Sequence, residues 1–117
     1  MTNPTKLCWN LAHEADFSPE KLRKVGLCET ERMLFDLYCL EPGQAQKVHV
    51  HDDIDKVYVA WSGQVTVQLG DESRVLSAGE AACAVAGLQH GVRNHTAEPA
   101  TVIVFQARSR AASAATK

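Results

Sequence analysis

The feature that most constrains this chain is a succession of short β-branched runs separated by turn residues. "KVHVH", "KVYVAW", "QVTVQL", "SRVLS" and "ATVIVFQA" follow one another between residue 47 and residue 107. The breaks fall at Pro42-Gly43, Ser62-Gly63, Gly70-Asp71-Glu72, Ala78-Gly79-Glu80, Gly87 and Glu98-Pro99. Such runs are too short for helices and too rich in Val, Ile and Tyr to be loops. "ERMLFDLYCLEPG" precedes them and alternates around Met33, Phe35, Leu37 and Cys39. Short strands at this spacing predict an all-β, antiparallel sandwich or barrel.

Only the first thirty residues break the pattern. "FSPEKLRKVG" has Ser18 as a cap, Pro19 and Glu20 in a first turn and Gly26 as a stop, which predicts a short helix. With 117 residues, 45% of them apolar, the chain suits one domain with a real core. The expected division is an N-terminal extension over 1–30 carrying the short helix and packed on the barrel, the barrel over 31–108, and a flexible tail over 109–117. Lys and Arg are scattered and matched by acids, with a formal net charge of −2, so no nucleic-acid surface is expected. The most apolar run, Ala81 to Leu88, is far below the roughly 20 residues of a membrane span. The start, "MTNPTKLCWN", lacks an apolar signal core, and a cytoplasmic protein is the expectation. Cys8, Cys28, Cys39 and Cys83 form no CxxC pair; Cys39 and Cys83, in strand-like stretches, are expected to pack in the core.

Chemistry concentrates in the histidines. A strand sends alternate side chains to one face, so His49 and His51 project together and Val48 and Val50 away from them. Two imidazoles on one face can chelate a divalent ion. His90, in "GLQHGVRN" after a Gly-marked turn, can be brought opposite them by a later antiparallel strand. Three neutral imidazoles suit Zn, Fe, Ni or Cu better than Mg or Ca. His13 reads as a surface residue, and His95 faces away from His90 on a regular strand.

At these residues the sequence resembles the cupin superfamily, in its small single-domain, RmlC-like, conserved-barrel form. Gly43, His49, Val50, His51 and Gly63 fit the family's first motif, and Gly79, Gly87, His90 and Asn94 fit its second, with Val85 in place of the proline. Both motifs occur in order, about fifteen residues apart. The resemblance implies a cupin β-barrel (a double-stranded β-helix, or jelly roll), a metal site inside it holding a divalent transition metal such as Zn, Fe, Ni or Mn, and a homodimer. His49, His51 and His90 are the ligands that the match carries over.

One departure stands out. The family's glutamate position, counted back from Gly63, holds Lys56; counted from His51 it also admits Asp55. Neighbours on a strand face opposite ways, so the two cannot both look inward. The frame to Gly63, which we favour, places Lys56, Tyr58 and Ala60 inside and Val57, Val59 and Trp61 outside. An ammonium about 5 Å from a divalent ion, at an effective dielectric near 20, is repelled by roughly 6–7 kcal/mol. Lys56 is therefore compatible with a metal only as a neutral amine or turned aside, towards Asp52, Asp53 or Asp55; otherwise the site binds an anion without metal.

Two classes of function follow. One is a metal-dependent oxygenase or isomerase acting on a small organic molecule, with Lys56 and Tyr58 as candidates for proton transfer. The other is a non-enzymatic small-molecule or anion-binding module, with or without metal. Asn94 is expected to brace the turn, and Trp9 to cover a barrel edge or a neighbouring subunit.

Overall fold

In a computed structural model that describes residues 6–108, nearly all regular structure is antiparallel strand. In chain order the strands are β1 (Arg23–Glu29), β2 (Met33–Leu40), β3 (Ala45–His49), β4 (Ile54–Ser62), β5 (Gln64–Leu69), β6 (Glu72–Ser77), β7 (Ala81–Ala84), β8 (His90–Arg93) and β9 (Ala100–Arg108). They form two sheets, ordered β1-β2-β9-β4-β7 and β3-β8-β5-β6. Tyr38, Leu40, Tyr58, Ala60, Ala100, Val102 and Val104 of the first meet Val65, Val67, Leu76 and Val92 of the second in one apolar core.

The short helix is present but not where residues 18–26 predict it. Helix α1 spans Leu11–Glu14, capped by Asn10, whose side-chain oxygen accepts from the His13 amide. At 18–20 the Ser18 hydroxyl accepts from the Glu20 amide and bends the chain. The next residues become β1, paired with β2 from Arg23↔Cys39 to Glu29↔Leu34. Helix signals at Ser18-Pro19-Glu20 lose to this pairing, which satisfies backbone groups along the edge of β2. The extension over 1–30 thus contributes a strand to the barrel sheet, which starts at Arg23 rather than near residue 31. Residues 109–117, expected to be a tail, lie outside the described residues.

β2 is buried on both faces. Tyr38 and Leu40 point into the barrel, while Leu37 and Cys39, also fully buried, lie on the other face. The N-terminal segment covers part of that outer face. The Trp9 ring packs edge-on against Phe35 with centroids 5.8 Å apart, and the Asp16 amide donates to Cys39 Sγ. Cys83, expected in the core, is exposed on the outward side of β7. No helix among the described residues is long and apolar enough to cross a membrane.

Register decides which end of the barrel is polar. Asp36 lies opposite Val104, and Lys56 opposite Gln106, while Tyr58 also faces Val104. Polar inward positions therefore gather at one end, and Leu40, Ala60, Ala100 and Val65 fill the other. The apolar end is closed by Asn94, fully buried, which donates to the carbonyls of Leu40 and Glu98 and accepts from Thr96.

Candidate metal centre

His90 is the first residue of β8 and lies directly opposite His49 in the β3–β8 ladder. Three residue steps along β3, from Gln46 to His49, span what two steps along β8 span from Val92 to His90, which marks a bulge. The bulge lets Gln46 and His49 share the inward face although they are three positions apart. Gly91 makes this close approach possible: a Cβ there would stand 2.9 Å from the Gln46 carbonyl oxygen and 3.1 Å from Val48 Cα. His51 lies past the end of β3, in the connection to β4, not on the strand itself. Its carbonyl accepts from the Gly87 amide at 2.7 Å, tying the connection to the turn before β8.

The three rings converge. Centroid distances are 4.7 Å for His49–His51, 4.3 Å for His49–His90 and 5.6 Å for His51–His90. Their ligating nitrogens all lie within 4.8 Å of one another. Two imidazoles on one ion at about 2.1 Å stand at most about 4.2 Å apart, so modest ring rotations close the set. Val48 and Val50 point outward, half exposed.

Two rings are already oriented from behind. His90 Nδ1 is 2.9 Å from the Leu88 carbonyl and His49 Nδ1 is 2.8 Å from the Lys47 carbonyl. Each contact places the proton on Nδ1 and the lone pair on Nε2, the form that binds metal. His90 Nε2 is buried and has no hydrogen-bond partner. A buried acceptor left without a partner costs free energy unless something binds it. Burial, helped by the neighbouring charges of His49 and Lys56, pushes the His51 pKa down. Burial also lowers that of His90, against the raising effect of its backbone contact. Both effects favour neutral ligands. The donor set thus fits a borderline transition ion.

Lys56, Tyr58 and Ala60 do point inward, all at most 1% exposed, and Val57, Val59 and Trp61 do not. Lys56 is not turned to Asp52, Asp53 or Asp55. The Asp55 carboxylate accepts instead from the Ala86 amide. The Lys56 ammonium donates to Gln46 Oε1 at 3.3 Å and stands within 5.4 Å of the Tyr38 and Tyr58 ring centres. Burial, with the nearby Lys24 charge, brings its pKa down to about 8, against the pull of Asp36. Asp36 is itself buried, and desolvation pushes its carboxyl up despite Lys24 and Lys56.

Gln46 is the hub that the sequence did not announce. Its Oε1 accepts from Tyr58 at 2.9 Å as well as from Lys56, and its Nε2 donates to the Tyr38 hydroxyl at 3.1 Å. Burial raises the Tyr38 phenol to about 12 and the Tyr58 phenol further, so both remain protonated. The Tyr58 ring centre is 6.3 Å from that of His90. Outside the centre, His13 and His95 are exposed, the latter hydrogen-bonded to Thr66.

Fold and site together define a small double-sheet barrel with a three-histidine centre at its polar end. The chain matches the Cupin domain family over residues 36–106, and it belongs to that family. It is similar to the protein TT1209 of Thermus thermophilus, at 50% identity over 86% of this chain and 96% of that one, with a TM-score of 0.84. A conserved Klebsiella pneumoniae protein with a double-stranded β-helix domain shares the fold at 23% identity and a TM-score of 0.81, over 88% of this chain and 90% of that one. A cupin-superfamily sugar phosphate isomerase of Silicibacter pomeroyi is 26% identical with a TM-score of 0.62, over 67% of this chain and 52% of that one. No curated protein matches the chain.

Proposed function

We propose that the protein is a metal-dependent cupin enzyme that moves a proton within a small oxygen-bearing molecule, as an isomerase does. The observation that carries the metal reading is His90 Nε2, buried without a partner and facing the rings of His49 and His51. A divalent transition ion, when bound, supplies a Lewis acid with coordination positions left open to substrate oxygen. Three neutral ligands without the usual carboxylate leave the ion's charge uncompensated, which favours an anionic or enolisable substrate.

The chain's own groups supply the proton chemistry. An amine brought to about 8 is partly neutral at physiological pH and can accept a proton. The Tyr58 phenol, held protonated and hydrogen-bonded to Gln46, is a donor. Their shared contact with Gln46 Oε1 orients both towards one place. The proton-transfer pair favours isomerisation over oxygenation. A metal-free anion-binding module is the second reading, favoured by the buried cation of Lys56 beside the histidines.

The test is elemental analysis of tag-free protein after incubation with Zn, Fe, Ni and Mn in turn, on wild type and His90→Ala. About one ion per chain, lost in the variant, is expected. A wild type that takes up no ion rules the metal reading out. Solvent deuterium incorporation into small hydroxy-carbonyl compounds, slowed at least tenfold by Lys56→Met, is expected of the isomerase; oxygen consumption instead would favour the oxygenase.

A further inference from the structure

The chain has more acids than bases, 14 against 12, yet every charged side chain lining the cavity beside His49 and His51 is a cation. It measures about 930 Å³ and is bordered by His49, His51 and the cations Lys21, Arg23, Lys24 and Lys47, with no carboxylate in its wall among the described residues. Arg23 is held by Asp16 at 2.9 Å. Among the described residues, no carboxylate comes within ion-pair distance of Lys21, Lys24 or Lys47.

Lys24 occupies the most informative place. It lies opposite Tyr38 in the β1–β2 ladder, and its ammonium stands 5.3 Å from the centre of the Tyr38 ring. The ammonium of Lys56 stands 5.4 Å from the same ring. Lys24, at the mouth, and Lys56, in the interior, thus share one aromatic ring, with the Asp36 carboxylate as a counter-charge to both. Lys21, Lys24 and Lys47 at the mouth, with the Asp36 carboxylate behind them, leave an excess of positive charge beside the histidine centre without counting Lys56. Like charges gathered without counter-ions around a recess attract an anion and repel a cation.

We propose that this cavity binds a small organic dianion, one anionic end at the three-histidine centre and the other on Lys24 at the mouth. The inference rests on the metal-site reading above and adds the substrate class to it. A dicarboxylate and a phosphate monoester share the required chemistry. Gln46, between the two ends and lining the same cavity, is placed to read polar groups in the middle of the molecule.

Isothermal calorimetry on the full tag-free chain tests this, with the protein loaded with Zn and again after removal of metal by a chelator. The probes are succinate, glycerol 1-phosphate and neutral succinamide. We expect both dianions to bind the loaded protein at least tenfold more tightly than succinamide, and to weaken as salt is raised. Lys24→Ala, at an exposed position, should lower dianion affinity about tenfold with metal content unchanged. Whichever dianion binds more tightly identifies the source of the charge. Equal binding of succinamide, or an effect of Lys24→Ala below twofold, overturns the inference. Metal uptake without preference for dianions sinks this inference alone. Dianion binding through Lys24 by a wild type that takes no metal sinks the metal reading and leaves Lys24 as an anion site.

Discussion

Replacing Lys56 with methionine should stabilise the metal-free protein at neutral pH, although it deletes a buried hydrogen bond. The ammonium is 1% exposed and its pKa falls from 10.5 to about 8, chiefly because burial strips its water. That fall corresponds to a cost of about 3 kcal/mol for holding the charge in the folded chain at pH 7. Against it stands the contact to Gln46, long at 3.3 Å and worth about 1 kcal/mol, the attraction to Asp36 being already contained in the shift. Methionine fills similar space without a charge, so the expected net gain is about 1–2 kcal/mol. Below pH 8 the lysine is protonated in both states, and the wild type carries the full cost. Between about 8 and 10.5 the folded protein has shed a proton that the unfolded chain keeps, so wild-type stability rises. Above 10.5 both states are neutral and the cost is gone. Urea unfolding of both proteins in chelator, at pH 7 and near pH 10.5, should show a gap that closes at the higher pH. A variant less stable than wild type at pH 7, or a gap indifferent to pH, would refute desolvation as the dominant effect on Lys56.

Three further outcomes follow from the same geometry. Lys56→Glu exchanges a repelling charge for an attracting one at the barrel's polar end, and should tighten Zn binding at least tenfold in chelator competition; unchanged affinity would place that side chain out of reach of the ion. Gly91→Ala puts a methyl 2.9 Å from the Gln46 carbonyl, which should push β3 away and weaken metal binding severalfold, read by the same competition. Asn94→Ala strands the buried Leu40 carbonyl and removes the acceptor of the Thr96 amide, and should cost about 1–3 kcal/mol in urea unfolding, with metal stoichiometry retained in the folded fraction.

The strand run from residue 47 to 107 was legible because its segments are short and β-branched, with β4 and β5 alternating in burial, and because turn glycines mark the ends. The inward parity of Lys56, Tyr58 and Ala60 was legible too, since counting back from Gly63 fixes the register of β4. β1 was not, because "RKVGLCE" has no apolar alternation and becomes a strand only by pairing with β2. β2 misled in a subtler way. Its visible alternation of Met33, Phe35, Leu37 and Cys39 marks the outer face, which the N-terminal segment partly covers, while Asp36 and Tyr38 face the barrel. Cys83 looked like a core residue because β7 is short and apolar, but its outward side stays open. Spacing put His49 and His51 on one face and the family resemblance added His90, whereas Gln46 joined them only through a β-bulge that no local signal announces.

Diffraction from crystals of the loaded protein, recorded at the absorption edge of the bound metal, examines the central claim most directly. The account predicts one strong anomalous peak among His49, His51 and His90, about 2.0–2.2 Å from a nitrogen of each ring. A peak elsewhere on the chain, or none from protein saturated with the ion, would contradict it.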